Sequence, residues 1–295
     1  MFVTDKLIFV QLQKTGSTHV ERCLQALFGG EVFGHRTKKH DRIPKGFNRT
    51  GKLIVGSVRD PWDWYVSLWA FGSKGSGGFH KTLTRGPGLG RRTTRQYWRN
   101  LPLFLTRELC KPVAVWRKTY SNVDDPTLFR QWLRLLLSYE RRYDGGLGYG
   151  KSQLSLFAGL LTFHYCRLSV DDAALLSRKH PLKNVQELRA LDNEHNILDM
   201  VIRNECIEDG LLNALKRAGY EVGDEMIHRI RSVGRTNASR RRRDLDYYYD
   251  DETVELVGER EQFIVEKFGY TPPVLCGKRT GKASGSGARA SWGAP

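Results

Sequence analysis

Five consecutive residues, Lys14-Thr15-Gly16-Ser17-Thr18, bring together a cation, a glycine and three hydroxyls. These are the parts needed to hold a phosphate or a sulfate. Gly16 lets the backbone approach a ligand closely, and the hydroxyls of Thr15, Ser17 and Thr18 can donate to anionic oxygens. If a helix starts here, its first N–H groups and its dipole favour negative charge at the same spot. The order of residues differs from the phosphate loop of nucleotide triphosphatases, G-x-x-x-x-G-K-[ST], where lysine directly precedes the hydroxyl residue. Here Lys14 stands two positions before the glycine, and there is no obvious strand-end Asp for Mg²⁺, so a kinase or ATPase reading is weakened. The same five residues also suit an ordinary capped turn.

A second pair with similar chemistry is Arg59 and Ser67, a guanidinium and a hydroxyl that could clamp another phosphate. The bland alternative pairs Arg59 with Asp60 or Asp63 and leaves Ser67 facing solvent. Arg235, Asn237 and Ser239 make a third polar cluster, just before the arginine run 240–243; a solvated loop explains it equally well. Trp62, Trp64, Tyr65 and Trp69 could stack on a base or sugar, but their helical spacing favours a core role.

The elements that must position these residues are legible. KLIFVQL at 6–12 is rich in strand formers and runs directly into the Lys14 loop, after which VERCLQALF has helical spacing. KLIVGSV at 52–58 reads as a second buried strand, and Asp60-Pro61 opens the aromatic helix WDWYVSLWAF, with proline in a favoured first-turn position. Arg59 therefore falls at the C-terminal end of a strand, where open parallel sheets bind ligands. Helices are expected over about 125–142, 152–166 and 251–268, and a strand-helix unit over 198–219 that Gly219 stops. Alternating strands and helices imply an α/β fold, with a mostly parallel central sheet covered on both faces. The glycine-rich stretch 72–95 reads as a long, mobile, basic loop inserted in one domain spanning 1–276, and 277–295 as a flexible tail.

Composition sets further bounds. With 40% hydrophobic residues and 32 aromatic ones, a real core can form. The net charge of +16 favours an anionic partner: nucleotide, anionic glycan or nucleic acid. A non-catalytic nucleic-acid-binding protein is the rival from outside enzymes, although no binding module is recognisable. Cys23, Cys110, Cys166, Cys206 and Cys276 are scattered without zinc spacing and read as reduced, mostly buried thiols. The opening MFVTDKLIFVQLQ does not resemble a signal peptide and no stretch has the length of a membrane helix, so a cytoplasmic protein without a membrane span is expected.

Taken together, FVQLQKTGSTHVERCL resembles the 5′-phosphosulfate loop of sulfotransferases that use 3′-phosphoadenosine 5′-phosphosulfate (PAPS), commonly P-K-T-G-[GST]-T, with Gln13 in place of the proline. SVRDPWDWYVSLW resembles their 3′-phosphate motif, V-R-[DN]-P-x-x-x-x-x-S. The stretch 236–270, with TNAS, DYYYDDETVELV and EKFGY, resembles the end of bacterial and carbohydrate-type members. Matches cover roughly 6–70 and 197–270.

The resemblance implies a P-loop-like sulfotransferase fold and transfer of a sulfuryl group from PAPS to an acceptor hydroxyl or amino group, with no metal required. It implies that Lys14 offsets charge on the bridging oxygen at the transition state, that Thr15, Gly16, Ser17 and Thr18 hold the 5′-phosphate, and that Arg59 and Ser67 hold the 3′-phosphate, with Arg235, Asn237 and Ser239 closing over it. His35 is the first choice for general base, with His40 and Glu31 as substitutes; His19, in the first helical turn, fits a surface or cap role better. The acceptor is expected to be a glycan or another hydroxylated molecule, and the basic 72–95 stretch hints that it is anionic.

Overall fold

Successive residues of the strands point to opposite sides of one small sheet, and each side collects its own core. The protein is described by a computed structural model covering residues 1–29, 40–86, 110–146, 148–177, 182–234 and 243–275. Four strands, β1 (Phe2–Val3), β2 (Leu7–Phe9), β3 (Leu53–Val58) and β4 (Met200–Arg203), lie in that spatial order. β2, β3 and β4 are parallel, with Ile8 opposite Ile54 and Ser57 opposite Ile202, while β1 adds an antiparallel edge. The architecture is α/β with a mixed open sheet.

Leu7 and Phe9 of β2, Val55 of β3 and Ile202 of β4 face the smaller cluster. It is closed by α1 (Ser17–Phe28), α8 (Ile207–Arg217) and α9 (Asp224–Ser232) through Val20, Leu24, Leu211, Leu215 and Ile230. Ile8, Val10, Ile54 and Val58 face the larger cluster. There α2 (Pro61–Gly72) is buried nearly all round, beneath α5 (Pro126–Leu137), α10 (Leu245–Tyr248) and α11 (Asp251–Arg260). A helix apolar on every side has to be a core helix. Its tryptophans are fully buried, and each indole N–H has an acceptor: Trp62 on the Val254 carbonyl at 3.0 Å, Trp64 on that of Gln13 at 2.7 Å and Trp69 on that of Thr119 at 2.8 Å. The aromatic run is thus core, as its spacing implies. The remaining helices on this side are α3 (Gly78–Thr84), α4 (Val113–Thr119), α6 (Leu160–Ser169), α7 (Val185–His195) and α12 (Gln262–Phe268).

Several expectations need correction. The stretch 72–95 is not all loop, because Gly78–Thr84 is helical and buries Phe79 and Leu83; residues 87–95 lie outside the described residues. The helix expected over 152–166 is split into a 3₁₀ turn, Gln153–Leu156, and α6, since Gly159 is extended at the N-cap. The helix over 251–268 breaks between α11 and α12 at Glu261, whose buried side chain is needed elsewhere. Cys23 and Cys166 are buried, but Cys110 and Cys206 are exposed. Among the described residues no helix is long and apolar enough to cross a membrane.

Candidate functional site

The loop between β2 and α1 is held by three internal donors. The Thr15 hydroxyl donates to the Leu12 carbonyl at 2.8 Å, the Trp64 indole to that of Gln13 at 2.7 Å and Arg59 Nη1 to that of Lys14 at 3.2 Å. With its own proton committed to Leu12, Thr15 accepts the 2.6 Å hydrogen bond from the Ser57 hydroxyl on β3. Both hydroxyls are buried, so the Thr15 side chain fastens the loop to the sheet and has no proton left for a ligand. That corrects the role expected for it; only its backbone N–H can reach an anion.

Two residues of the loop are in the left-handed region, Lys14 at φ 63° and Gly16 at φ 75°. A non-glycine residue there is strained, and such strain gathers at ligand clamps. Gly16 has two reasons to lack a side chain beyond its φ: a Cβ would collide with Ile207 Cδ1 and meet Asn204 Oδ1 at 2.8 Å, atoms of the segment that follows β4. No side chain caps α1, and among the described residues none accepts a backbone hydrogen bond from the N–H groups of residues 14–18. Left-handed turns running into an uncapped helix start form a concavity of N–H donors suited to an anion.

One stripe of α2 faces this loop. Asp63, Ser67 and Phe71 are spaced four apart and so line one side of the helix. Asp63 Oδ2 accepts from both Nε and Nη2 of Arg59 at 2.6 Å, while the Phe71 ring lies 4.1 Å under the Lys14 ammonium. Ser67, between them, is 2% exposed, which rules out the solvent-facing alternative. The Arg59–Asp63 pair is the bland alternative realised. Even so, with Nη1 on Lys14 the guanidinium has three of its five donors engaged, and two are left.

Burial, then Arg59, then Lys74, push the Lys14 ammonium down to about 8. A half-buried ammonium beside Arg59, which is paired with Asp63, and Lys74 has no carboxylate of its own among the described residues, which favours an anionic ligand there. Across the sheet, the Asp60 N–H donates to Glu205 at 2.9 Å and Tyr270 OH reaches the other Glu205 oxygen at 3.3 Å, so two carboxylates do stand at strand ends, contrary to the sequence reading. Asp60 is raised to about 6, chiefly by burial, and its side chain caps α2 through the Asp63 N–H. Among the described residues no group of three or more His, Cys, Asp or Glu has a metal-holding arrangement.

Comparison of the chain with protein families, with curated proteins and with solved structures found no match in any of the three.

The structure brings Lys14, Thr15, Gly16, Ser17, Thr18, Arg59 and Ser67 into one region. His35, Glu31, Arg235, Asn237 and Ser239 lie outside the described residues. His40 has φ 69°, and its Nδ1 is 2.9 Å from the Gln11 carbonyl, on the chain that leads from β2 into the loop. His19 is neither a surface nor a cap residue: it is 4% exposed, with Nε2 3.6 Å from Glu208 and 3.8 Å from the Cys23 sulfur. The sequence reading missed Phe71, Lys74, Glu205 and Tyr270. Helical spacing from Asp63 and Ser67 could have located Phe71; the other three depend on folding.

Proposed function

We propose that the chain is a sulfotransferase that takes PAPS as sulfuryl donor, in a P-loop-like sulfotransferase fold, and acts on a hydroxyl or amino group of an acceptor, a carbohydrate in the first instance. The observation that carries this reading is the uncapped, left-handed Lys14–Gly16 loop facing the Asp63-Ser67-Phe71 stripe, with three cations of which, among the described residues, only Arg59 has a carboxylate partner. Two anion-binding points, the loop and the pair Arg59 and Ser67, suit a ligand with a phosphosulfate at one end and a separate 3′-phosphate at the other.

In this reading the N–H groups of residues 15–18 and the Ser17 and Thr18 hydroxyls hold the 5′-phosphate. Lys14 swings from Phe71 onto the bridging oxygen, where its charge counts most as negative charge develops. Arg59 gives its two remaining donors, and Ser67 its hydroxyl, to the 3′-phosphate. The acceptor oxygen bonds to sulfur as the bond from sulfur to the phosphate oxygen breaks; the electron pair leaves with the phosphate and the acceptor proton passes to a base. Among the described candidates His40 fits that role best, because a carbonyl at Nδ1 favours a proton there and basic character at Nε2.

Calorimetric titration with 3′-phosphoadenosine 5′-phosphate, without Mg²⁺, tests the reading. Micromolar binding is expected, weakened at least tenfold, about 1.4 kcal/mol, by Lys14→Ala and by Arg59→Ala. Absence of binding would sink it and return the nucleic-acid-binding alternative; binding of ATP alone and only with Mg²⁺ would sink it in favour of a kinase.

A further inference from the structure

The surface beside the loop gathers cations that are held by carbonyls. Gly77 is the N-cap of α3, and a Cβ there would come within 2.7 Å of Phe71 Cε1, so this helix is seated directly on the ring that Lys14 overhangs. At its far end Lys111 donates to the carbonyls of Thr82 and Arg85, and Arg117 Nε to that of Thr84 at 3.1 Å. Arg141 Nη1 donates to the carbonyl of Cys110 at 2.8 Å, one residue before Lys111. Exposed Lys81 and Arg85 stand on the same helix end. Among the described residues, Lys81, Arg85, Arg117 and Arg141 belong to no ion pair.

The strip continues past Arg141. Gly145 abuts Phe79 and Gly146 abuts Thr82, which lays the segment after α5 against α3. On that segment the Arg142 guanidinium lies 3.6 Å from the Tyr139 ring centroid and 4.6 Å from that of Tyr143, and Tyr139 is 56% exposed. Of the two carboxylates here, Glu140 is exposed and Asp144 accepts from the Trp116 indole at 2.9 Å. Positive charge therefore runs from Lys14 over α3 to an arginine stacked on an open tyrosine.

We propose that this strip is the acceptor face and that it binds an anionic polysaccharide, a chain carrying a sulfate or carboxylate on each repeat. The proposal rests on the sulfotransferase reading only for where the reacting hydroxyl lies, beside Lys14. Cations fixed by carbonyls keep their full charge for a ligand, and a row of them matches a polymer better than a single small anion. Phe71 at the inner end and Tyr139 at the outer end, 38% and 56% exposed, leave apolar ring surface for sugar rings beside the cations stacked on them. A single-stranded nucleic acid would instead call for a series of stacking aromatics along the groove.

The test uses the full chain and three labelled probes followed by fluorescence anisotropy at several salt concentrations: a chondroitin sulfate oligosaccharide, an uncharged dextran oligosaccharide and single-stranded DNA of equal charge. The chondroitin sulfate probe should bind best, with affinity that falls as salt rises. The triple variant Lys81→Glu, Arg117→Glu, Arg142→Glu should lose at least tenfold, while Lys45→Glu, Arg49→Glu, before the other end of β3, changes nothing. Equal binding by the triple variant, tighter binding of DNA, or equal binding of dextran overturns the proposal. Titration of each variant with 3′-phosphoadenosine 5′-phosphate separates the two readings. Nucleotide affinity unchanged in the triple variant shows that it is folded; no nucleotide binding by any form, with the glycan pattern intact, removes the sulfuryl-transfer reading and leaves the glycan face standing.

Discussion

Lys14 combines left-handed backbone, partial burial and two cationic neighbours, so its proton is easily lost. The sign of the pH effect follows directly. Its folded pKa is depressed to about 8, so the ammonium is present below that value and disappears as pH rises through it, unless an anion is bound. Affinity for 3′-phosphoadenosine 5′-phosphate should therefore fall between pH 7 and pH 9.5 in the wild type. In Lys14→Ala it should be weaker and flatter with pH, and parallel curves for the two forms would count against the role of Lys14. Gly16 has no tolerated replacement: Gly16→Ala combines an unfavourable φ with a collision against Ile207 and should cost about 2–3 kcal/mol in urea denaturation. Lys14, Gly16, Arg59 and Ser67 were legible as candidates because their types and spacing carry chemistry. That the Thr15 hydroxyl is internal was not legible, since its partner Ser57 is 42 residues away.

At the scale of elements, α2 supplies core on most of its circumference and site on one stripe. Its N-terminus was readable from Asp60-Pro61, a capping side chain followed by proline. The break between α11 and α12 was not readable, because its cause lies in another helix. Glu261 is fully buried and accepts from the Leu161 N–H at 3.0 Å, the Thr162 N–H at 2.8 Å and the Thr162 hydroxyl at 2.6 Å, serving as a cap for α6 from outside it; Tyr65 donates to it as well. Burial pushes this carboxyl up from its ordinary value. Glu261→Ala should leave those donors unpaired and cost about 3 kcal/mol or more, with Glu261→Gln retaining part of the loss, as read by chemical denaturation. A cost below about 1 kcal/mol would mean that water replaces the carboxylate.

Over the whole molecule, one sheet separates two apolar clusters, and every tryptophan among the described residues lies in the larger one. Because β2 and β3 contribute to both sides, loss of either cluster strips the sheet that supports the other. Unfolding followed by tryptophan fluorescence and by far-ultraviolet circular dichroism should give coincident transitions. A circular dichroism transition that precedes the fluorescence change would show the α1, α8 and α9 side melting alone. The net charge of +16 was plain in the composition, but its local arrangement was not. Read as a long loop, 72–95 hinted at an anionic acceptor, whereas the fold forms a helix there and sets Arg117 and Arg141, from distant parts of the chain, against its end and the adjoining segment.

The α/β class, the strand-loop-helix units around Lys14 and Arg59, and the burial of the α2 tryptophans were all readable from the order of residues. Each depends on local patterns: alternation in a strand, 3.6-residue spacing in a helix, a cap and a proline at a helix start. Folding in three dimensions was needed to show that Arg59 shares its charge with Asp63 while bracing Lys14, that Gly16 is pressed against the segment after β4, and that His19 is buried beside Glu208. Each of those facts requires residues from two distant segments to meet. Which of several available partners a charged or polar group takes is set by the packing that excludes water around it, and short-range patterns carry no record of that packing.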